Sequence, residues 1–363
     1  MATPDTQARA GARDAVELCD AADLDRREWE ELADRSHASP FSHPGWIDPY
    51  WRAFGRGRPV ALVARRQGRL VGVLPLESRR GVLASATNWQ TPIFGPVVED
   101  ADAAAALAAG LLAHARGRTD LWFLDPAVPG LEQGREVAEA AGWRVIERTM
   151  AEAPYVPVEG SFEEFMAGLE RKFRKDIGRR WRRLEDRGDV EVAYEDGTQN
   201  LEELLDVGFR LEGSGWKTET GTAIASDPVR EHFYREICRW AAERGWLTLA
   251  FLRVDGRAVA FDLCLEADGI CYVLKGGFDV EERRLGPGVL LTHASIRRAF
   301  EQGFSSYELL GEADDYKLSW TSATRRRVRL QLFPRSPLGL IEYLAWRWGR
   351  AAIRRTQEAL GRR

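Results

Sequence analysis

The chain has 363 residues, of which 44% are hydrophobic and 30% are charged, and its formal net charge at pH 7 is −4. This length and balance predict a core-forming protein of about two domains, and they exclude a disordered chain, a collagen-like fibre and a small disulfide scaffold. No apolar run approaches the roughly 18 residues of a membrane-spanning helix, and residues 1–14 hold no apolar signal-peptide core. We therefore expect a cytoplasmic protein.

Cysteine usage also indicates a reducing compartment. The four cysteines form no C-x-x-C pair, and together with the five histidines they show no spacing typical of metal ligands. We expect free thiols and no metal. The cysteines are Cys19, Cys238, Cys264 and Cys271.

The charge is unevenly distributed along the chain. Arg171–Arg187 holds nine basic and three acidic residues, and Pro334–Arg363 holds seven basic and two acidic residues. The acidic balance of the whole chain argues against a dedicated nucleic-acid binder, whose domain would usually be basic over a whole face. Nucleic acid is therefore an improbable partner.

Hydrophobic periodicity predicts an alternation of helices and strands. The first half reads as a helix over 25–36, a hairpin of strands over 60–64 and 70–76, a helix over 101–116 and a strand over 121–124. The second half reads as helices over 200–211 and 227–244, strands over 247–254, 258–265 and 270–276, a helix over 288–302 and a strand over 307–310. The two halves thus present similar elements in a similar order.

The spacing of these elements indicates an internal duplication. The hairpin glycines Gly68 and Gly256 are 188 residues apart, and the later strands begin at Leu121 and Tyr307, which are 186 apart. The alternative is coincidence between two α/β segments. Two prolines and a glycine interrupt the pattern over 154–160. We predict domains over 1–155 and 156–335, followed by a basic amphipathic helix over 336–363.

A strand over 271–276 leads through a loop to Arg283-Arg284-Leu285-Gly286-Pro287-Gly288, which opens an amphipathic helix. Glycines allow backbone N–H groups to approach a phosphate, the helix N-terminus offers unpaired donors, and arginines add full charges. The segment predicts a pyrophosphate site, although such glycines can simply form the turn. The segment follows antiparallel strands rather than lying in a parallel βαβ unit with an acidic residue about 20 positions later, so a dinucleotide-binding Rossmann site is disfavoured.

This R-x-x-G-x-G pattern is similar to the acyl-CoA-binding motif of GNAT N-acyltransferases, which joins the fourth strand to the third helix. The order of elements from Asn200 to Leu332 resembles that fold. Several segments look like the CelD/BcsL-type branch, which is related in architecture to the FemABX transferases with their two tandem GNAT-like domains. These segments are residues 40–46, 174–183, 212–217, 221–224, 307–311, 315–317 and Trp320.

The resemblance implies an α/β (α+β) fold of two tandem GNAT-like domains, each a mixed, mainly antiparallel central sheet flanked by helices. It implies acetyl-CoA or another acyl-CoA as co-substrate, with no metal. The implied cofactor-binding residues are Tyr272, Val273, Lys275, Gly276, Arg283, Arg284, Gly286, Gly288 and Val289.

The corresponding stretch of the first half is different. Residues 91–100 hold one glycine, no basic residue and two acids, Glu99 and Asp100, which would repel a pyrophosphate. We therefore expect a degenerate first domain and a catalytic second domain.

Transfer of an acyl group to an amine requires a base for the amine proton and an acid for the departing thiolate. Candidate bases are carboxylates near strand ends, where an inward-facing carboxylate would have a raised pKa. The alternatives are an outward-facing Asp262 and solvated loop acids. Tyr316 stands about where GNAT enzymes carry a tyrosine near the sulfur, so the resemblance implies a general acid, although it could simply pack. The candidate catalytic residues are Asp262, Glu308, Glu312, Asp315 and Tyr316.

Acceptor-binding candidates come from a glycine-rich loop and from the region after the last strand. Trp216 and Lys217 lie between the two helices that usually wall the acceptor site, although the tryptophan could be buried and the lysine exposed. Lys317 could anchor an acidic group or pair with Asp314. Trp320 completes the predicted substrate-binding set.

The two basic segments leave alternatives open. Arg171–Arg187 reads as a solvated helix face, as a surface for the CoA 3′-phosphate or another anionic ligand, or as a nucleic-acid site. Residues 337–360 read as a helix with apolar residues on one face, which we expect to dock on the second domain, with peripheral membrane contact as the alternative. That face holds Leu338, Ile341, Leu344, Trp348 and Ala352.

Together these features predict a GNAT-type N-acyltransferase that uses acyl-CoA, most simply acetyl-CoA, and acts on a primary amine of a small molecule or amino-sugar. A FemABX-like transferase that uses aminoacyl-tRNA is the alternative enzyme. An inactive accessory protein of polysaccharide or envelope assembly is the non-enzymatic alternative.

Overall fold

The computed structural model of the protein describes residues 14–128, 131–214 and 223–360. Internal contacts divide the chain into two compact units. The first unit comprises Met1–Pro44, Gly55–Arg148 and Val328–Arg363, and the second comprises Gly45–Phe54 and Thr149–Arg327. The domain boundaries inferred from the sequence remain predictions.

The first unit is built on a mixed sheet. Its strands are β1 (Ala15–Asp20), β2 (Arg58–Arg66), β3 (Arg69–Arg79), β4 (Val82–Ser85), β5 (Val97–Val98), β6 (Thr119–Leu124) and part of β13 (Thr324–Phe333). Its helices are α1 (Arg26–Arg35), α3 (Ala101–His114), α4 (Leu131–Ala140) and α11 (Pro337–Leu360), while α2 (Pro44–Phe54) belongs almost wholly to the second unit. The strands pair antiparallel in the order β1-β2-β3-β4 and β6-β13, and β4 pairs β6 in parallel.

The second unit has its own mixed sheet. Its strands are part of β7 (Arg144–Pro157), β8 (Val190–Glu195), β9 (Leu247–Val254), β10 (Arg257–Ala267), β11 (Ile270–Phe278) and β12 (Ser306–Glu308). Its helices are α5 (Phe162–Gly168), α6 (Arg171–Glu185), α7 (Leu201–Glu212), α8 (Pro228–Glu243), α9 (Pro287–Glu301) and α10 (Asp315–Leu318). The order β8-β9-β10-β11 is antiparallel, β11 pairs β12 in parallel, and β12 pairs β7 antiparallel.

The two units repeat one topology. In each, three antiparallel pairings are followed by one parallel pairing, which is reached through a helix, α3 in the first unit and α9 in the second. The hairpin glycines predicted to correspond, Gly68 and Gly256, both adopt positive φ, 84° and 76°. The predicted fold class, two mixed and mainly antiparallel sheets with flanking helices, is confirmed.

The helices of the second unit begin at residues suited to that position. The side chain of Asp227 accepts a hydrogen bond from the backbone N–H of Val229, and Pro228 occupies the first turn of α8. Ser161 and Glu164 form a reciprocal capping box on α5. Helices α5, α6 and α9 then pack against one side of the sheet, where apolar side chains such as Leu290 form the core.

The C-terminal helix α11 has the predicted bounds but a different buried face. The ring of Tyr343 packs against Phe333, and the ring of Trp346 receives the guanidinium groups of Arg118 and Arg329. The members of the expected docking face up to Trp348 are exposed instead, with Leu338 at 67% and Trp348 at 62% of full exposure. That expectation is wrong, because the aromatic side chains of the other face make the contacts. No helix in the described part of the chain is long and apolar enough to cross a membrane.

Candidate functional site

The strands β11 and β12 separate in the middle of the second sheet. Their pairing begins at Ile270 opposite Ser306 and ends at Tyr272 opposite Glu308, whereas β11 continues to Phe278. Residues 273–278 therefore have no strand partner on this side among the described residues. The backbone groups of this open edge are available to a ligand.

A β-bulge controls which side chains of β11 point to which face of the sheet. Leu263 pairs with Lys275, but its neighbour Cys264 pairs with Val273, so Leu274 is an additional residue in β11. After the bulge, Gly276 and Phe278 lie on the α9 face. Lys275 points the other way, with its Nζ 5.4 Å from the ring centre of Tyr234 on α8. The position of Lys275 therefore does not support its predicted contact with a CoA phosphate.

The N-terminus of α9 lies next to this open edge and carries no side-chain cap. Its cap residue Gly286 has φ 65°, a conformation that suits glycine, and offers no side chain to the first turn. A Cβ at Gly288 would lie 3.3 Å from the Phe278 ring, so backbone and strand approach closely here. The predicted Val289 follows in the same turn and packs against the core. The first-turn N–H groups have no side-chain cap and can donate hydrogen bonds to an anion.

Arginines surround this helix terminus. Arg283 and Arg284 are exposed and form no ion pair with any described residue. Arg180 of α6 is held by Asp176, with 2.6 Å between its Nε and the carboxylate, and its guanidinium lies so close to Gly286 that a Cβ there would overlap it. Positive groups at the positive end of a helix dipole favour a bound anion.

The equivalent helix of the first unit is closed to anions. The side chain of Asp100 caps α3 by accepting a hydrogen bond from the backbone N–H of Ala103 at 2.8 Å. A hydrogen bond from Arg66 is the main reason that the pKa of Asp100 falls to about 2, so the cap is ionised. A fixed carboxylate thus occupies the place that is open at α9.

Tyr316 is linked to the first turn of α9 by hydrogen bonds. Its hydroxyl lies 2.5 Å from Oγ1 of Thr292, which donates to the carbonyl oxygen of Gly288 at 3.0 Å. Because Thr292 uses its proton for that bond, Tyr316 is the donor to Thr292. Burial of the hydroxyl, followed by the charge of Asp262, raises the pKa of Tyr316 above that of an ordinary phenol. The tyrosine is therefore protonated at neutral pH.

Asp262 points inward, which settles the alternative left open by the sequence. It is 9% exposed and lies opposite Gly276, so close that a Cβ at 276 would overlap its Oδ1. Its charge contributes to the raised pKa of both Tyr316 and Tyr307, which places it near two phenols on the α9 face. This carboxylate lies on the side of the sheet that carries α9, whose N-terminus has no side-chain cap.

Glu308 lies on the opposite face. Its neighbour Tyr307 packs in the α9 core, and alternation along β12 directs Glu308 to the side of Tyr272, α7 and α8. The side chain is 2% exposed; Oε1 accepts from Arg325 at 2.8 Å and from Ser306 at 3.0 Å, whereas Oε2 is buried without a hydrogen-bond partner. Its charge adds to burial in raising the pKa of Tyr272. Oε2 thus has unused capacity to accept a hydrogen bond.

The remaining predicted catalytic and substrate-binding residues do not form one cluster. Glu312 and Asp315 are exposed around α10, and Lys317 donates to the Glu312 carbonyl oxygen and pairs with Asp314 at 3.2 Å. Trp320 is fully buried, with its ring centre 4.9 Å from that of Phe173. Trp216 and Lys217 lie outside the described residues.

Three further residues join the site without having been predicted individually. Thr292 stands four residues after Gly288, a spacing that places both on one face of a helix and was a usable signal. Arg180 lay in the recognised basic run, but its direction needed the packing of α6 on α9. Tyr307 is fully buried and its hydroxyl has no hydrogen-bond partner.

One group of side chains in the first unit approaches metal-ligand geometry. Ligand atoms of Glu30, Asp34 and His43 lie within 4.8 Å of one another. Both ring nitrogens of His43 already face oxygen atoms, Nδ1 that of Glu30 at 3.1 Å and Nε2 the Ala38 carbonyl at 3.3 Å. The contact between Nδ1 and Glu30 thus joins two members of this group directly.

Comparison with protein families identifies the second unit. Residues 171–318, less than half of the chain, match the family model described as acetyltransferase (GNAT) domain. The match contains α6, the open edge of β11, the α9 terminus and Tyr316. It confirms that the chain carries a GNAT-type acetyltransferase domain and is an enzyme of that class. No curated protein sequence matches the chain.

Solved structures share the fold over nearly the whole chain. FemX is 12% identical, with a TM-score of 0.57 over 86% of this chain and 96% of its own. The C-terminal domain of a putative lysylphosphatidylglycerol synthetase from Agrobacterium fabrum is 14% identical, with a TM-score of 0.55 over 89% and 97%. A conserved protein of unknown function from Bacteroides thetaiotaomicron is 12% identical, with a TM-score of 0.54 over 88% and 99%. At these identities the likeness concerns the fold, and it extends through both units.

Proposed function

We propose that the protein transfers an acyl group, most simply acetyl, from acyl-CoA to a primary amine of a small molecule or amino-sugar, and that it belongs to the CelD/BcsL-type branch of GNAT enzymes. The observation that carries this proposal is the uncapped α9 terminus beside the open edge of β11, with Arg283 and Arg284 unpaired. The ionised Asp100 at the equivalent place restricts the activity to the second unit.

Acyl-CoA would supply an activated thioester carbonyl to this site. The first-turn N–H groups of α9 and the arginines around Gly286 bind the pyrophosphate, and N–H groups along residues 273–278 are the candidate donors to the thioester oxygen. Such donors stabilise the negative charge that develops as the amine nitrogen attacks the carbonyl carbon.

The two proton-transfer roles go to opposite faces of the sheet. The acceptor amine approaches from the α7 and α8 side, where the free Oε2 of Glu308 takes its proton as the C–N bond forms. The C–S bond breaks on the α9 side, where protonated Tyr316 gives its proton to the departing thiolate. Asp262, near that hydroxyl, stabilises the neutral phenol before transfer. No covalent enzyme intermediate is required.

The cationic face of α6 also favours a second candidate, a FemABX-like transferase that uses aminoacyl-tRNA. Arg171, Arg174 and Arg182 form no ion pairs with described residues, and unpaired cations on one helix suit a nucleic-acid backbone. The uncapped α9 terminus argues for acyl-CoA instead. Salt dependence of binding separates the two.

Calorimetric titration with acetyl-CoA, a longer acyl-CoA and deacylated tRNA at two salt concentrations tests the proposal. We expect saturable acyl-CoA binding that Gly288→Phe abolishes, because the new side chain must enter the space between Phe278 and the helix terminus. A melting temperature close to that of the wild type is the folding control for this variant. Tight, salt-sensitive tRNA binding without acyl-CoA binding would overturn it.

A further inference from the structure

The second unit also contains a cleft to which the mechanism above assigns no role. A cleft of about 1680 Å³ opens between α5 and α6 on one side and the segment that follows α10 on the other. Phe173 and Trp320 lie at its base, with their rings in edge-to-face contact. Six cations of α6 line it, namely Arg171, Lys172, Arg174, Lys175, Arg179 and Arg182.

Five of these cations have no anionic partner. Arg179 pairs with Asp176, but the other five make no ion pair with any described residue. The Nε of Arg174 is buried without a hydrogen-bond partner. Elsewhere in the unit, Arg235 pairs with three carboxylates and Arg298 with Glu266. Five cations without an anionic partner among the described residues thus lie together in this cleft.

The carboxylates in the cleft neutralise only part of this charge. Four of them line it, but Glu164 is engaged in the capping box with Ser161, and Asp176 already holds Arg179 and Arg180. The remaining two, Glu159 and Glu170, face five unpaired cations. The cleft thus has a net positive charge before any ligand binds.

The fold fixes the rotation of α6 and therefore the side of the helix from which these cations extend. Ile177 and Leu184 on the other face of α6 are buried in the core, so the helix cannot rotate to expose its charges elsewhere. Gly178 stands among the cations and has no side chain to fill the cleft. Cations directed into a concave surface with an aromatic base suit a phosphorylated ligand, because arginine binds phosphate oxygens through charge-assisted hydrogen bonds.

We propose that this cleft is a binding site for a phosphate ester, with Arg174 and Arg182 as its principal contacts. The same helix presents Arg180 to Gly286, and α10, which precedes the opposite wall, carries Tyr316. Resting on the proposed function, the ligand is either the 3′-phosphate end of CoA or a phosphorylated acceptor. Both ligands present a phosphate group to the arginines of α6.

The test compares Arg174→Gln/Arg182→Gln with Arg183→Gln as the matched control. Arg183 belongs to the same helix and is exposed and unpaired, but it does not line the cleft. The three proteins are titrated with CoA, with dephospho-CoA and, in saturating acetyl-CoA, with tripolyphosphate. Melting temperatures confirm that each variant is folded.

We expect the double variant to lose roughly tenfold or more in affinity for the phosphate-bearing probe, whereas Arg183→Gln keeps it. If CoA binds more tightly than dephospho-CoA and the double variant loses this difference, the ligand is the cofactor's 3′-phosphate. If the two bind equally and only tripolyphosphate binding is lost, the ligand is a phosphorylated acceptor.

Equal loss in both variants, or no probe that depends on Arg174 and Arg182, would overturn the proposal. A wild-type protein that binds tripolyphosphate through these arginines but does not bind acyl-CoA would refute the proposed function and leave the phosphate site standing. The two proposals can therefore fail separately.

Discussion

The hydroxyl of Tyr316 lies 2.5 Å from Oγ1 of Thr292, whose own proton is given to the carbonyl of Gly288. This pair connects the proposed proton donor with the turn that we propose binds the cofactor. Tyr316 as a residue is 43% exposed, yet its hydroxyl is fixed inward. A tyrosine held only by packing would not need this arrangement.

Replacing Tyr316 with phenylalanine should lower kcat by roughly 10²-fold, the lower end of the usual effect of a general acid. The KM for acetyl-CoA should change little, because the phenol contributes to breaking the C–S bond. Steady-state kinetics with a free-thiol assay measures both. An unchanged kcat would remove Tyr316 from the mechanism.

The pH profile provides a separate check on the same residue. The pKa of Tyr316 is raised above the ordinary value near 10, and the phenol must be protonated to act as an acid. The activity of the enzyme should therefore fall only above pH 10. Thr292→Val removes the acceptor of the tyrosine's proton at similar volume and should lower kcat less than Tyr316→Phe. An alkaline limb below pH 9 that vanishes in Tyr316→Phe would contradict this.

Glu308→Gln should lower kcat/KM by roughly 10²-fold, because an amide cannot accept the amine proton. The loss should be greatest at low pH, where the amine is most protonated, and an acceptor of lower amine pKa should recover part of the rate. Measurement of kcat/KM for two amines over pH 6–9 decides the matter. Asp262→Asn is the matched control, since it removes a carboxylate from the other face of the same sheet.

The control substitution Asp262→Asn should change the pKa of Tyr316 rather than the dependence of the rate on the acceptor amine. We expect Asp262→Asn to shift the alkaline limb to lower pH, because removing the negative charge makes the phenol easier to ionise. If Asp262→Asn reproduced the amine dependence of Glu308→Gln, the roles of the two carboxylates would be exchanged.

Asp100 predicts an effect on stability in the first unit. Asp100→Ala removes the cap of α3 and should lower the free energy of unfolding by about 1 kcal/mol, whereas Asp100→Asn keeps a capping oxygen and should cost less. The folded pKa near 2 lies below the unfolded value near 3.9, so the contribution is present above pH 4 and lost as the pH falls to 2. Urea unfolding at pH 7 and pH 3 measures it, and an alanine variant as acid-sensitive as the wild type would refute it.

The exposed face of α11 predicts contact with an anionic lipid surface. Leu338, Ile341 and Trp348 are each more than 60% exposed, and Pro334–Arg363 holds seven basic against two acidic residues. We expect the protein to float with phosphatidylglycerol-containing vesicles, and Leu338→Asp/Ile341→Asp to abolish this. Val229→Asp, at an exposed apolar position on α8, is the control. Failure of the wild type to float would exclude this partner.

Periodicity and turn glycines were enough to place most elements of the fold. Strand β9 has the predicted bounds, Leu247–Val254, and α9 begins and ends one residue before its predicted limits. The contrast between Gly286 and Asp100 was also readable, because the cap residue itself decides whether a helix terminus can bind an anion.

Side-chain direction was not predictable from the same patterns. Whether Asp262 faces inward depends on the register of two strands, and Glu308 is held by Arg325, which lies 17 residues away along the chain. The buried face of α11 depends on partners such as Arg118 and Arg329 that lie far from it in the sequence. Such contacts are tertiary and leave no local signal.

The bulge at Leu274 determines the face of the sheet to which each later side chain of β11 points. If Leu274 paired regularly with Leu263 instead of forming the bulge, every later side chain of β11 would change face, which would turn Lys275 toward Asp262 and Gly276 toward the helix that carries Tyr234. A lysine and an aspartate would then neutralise each other in the space that the cofactor should enter. The extra residue at position 274 therefore keeps the ammonium group of Lys275 out of the space that the cofactor should enter.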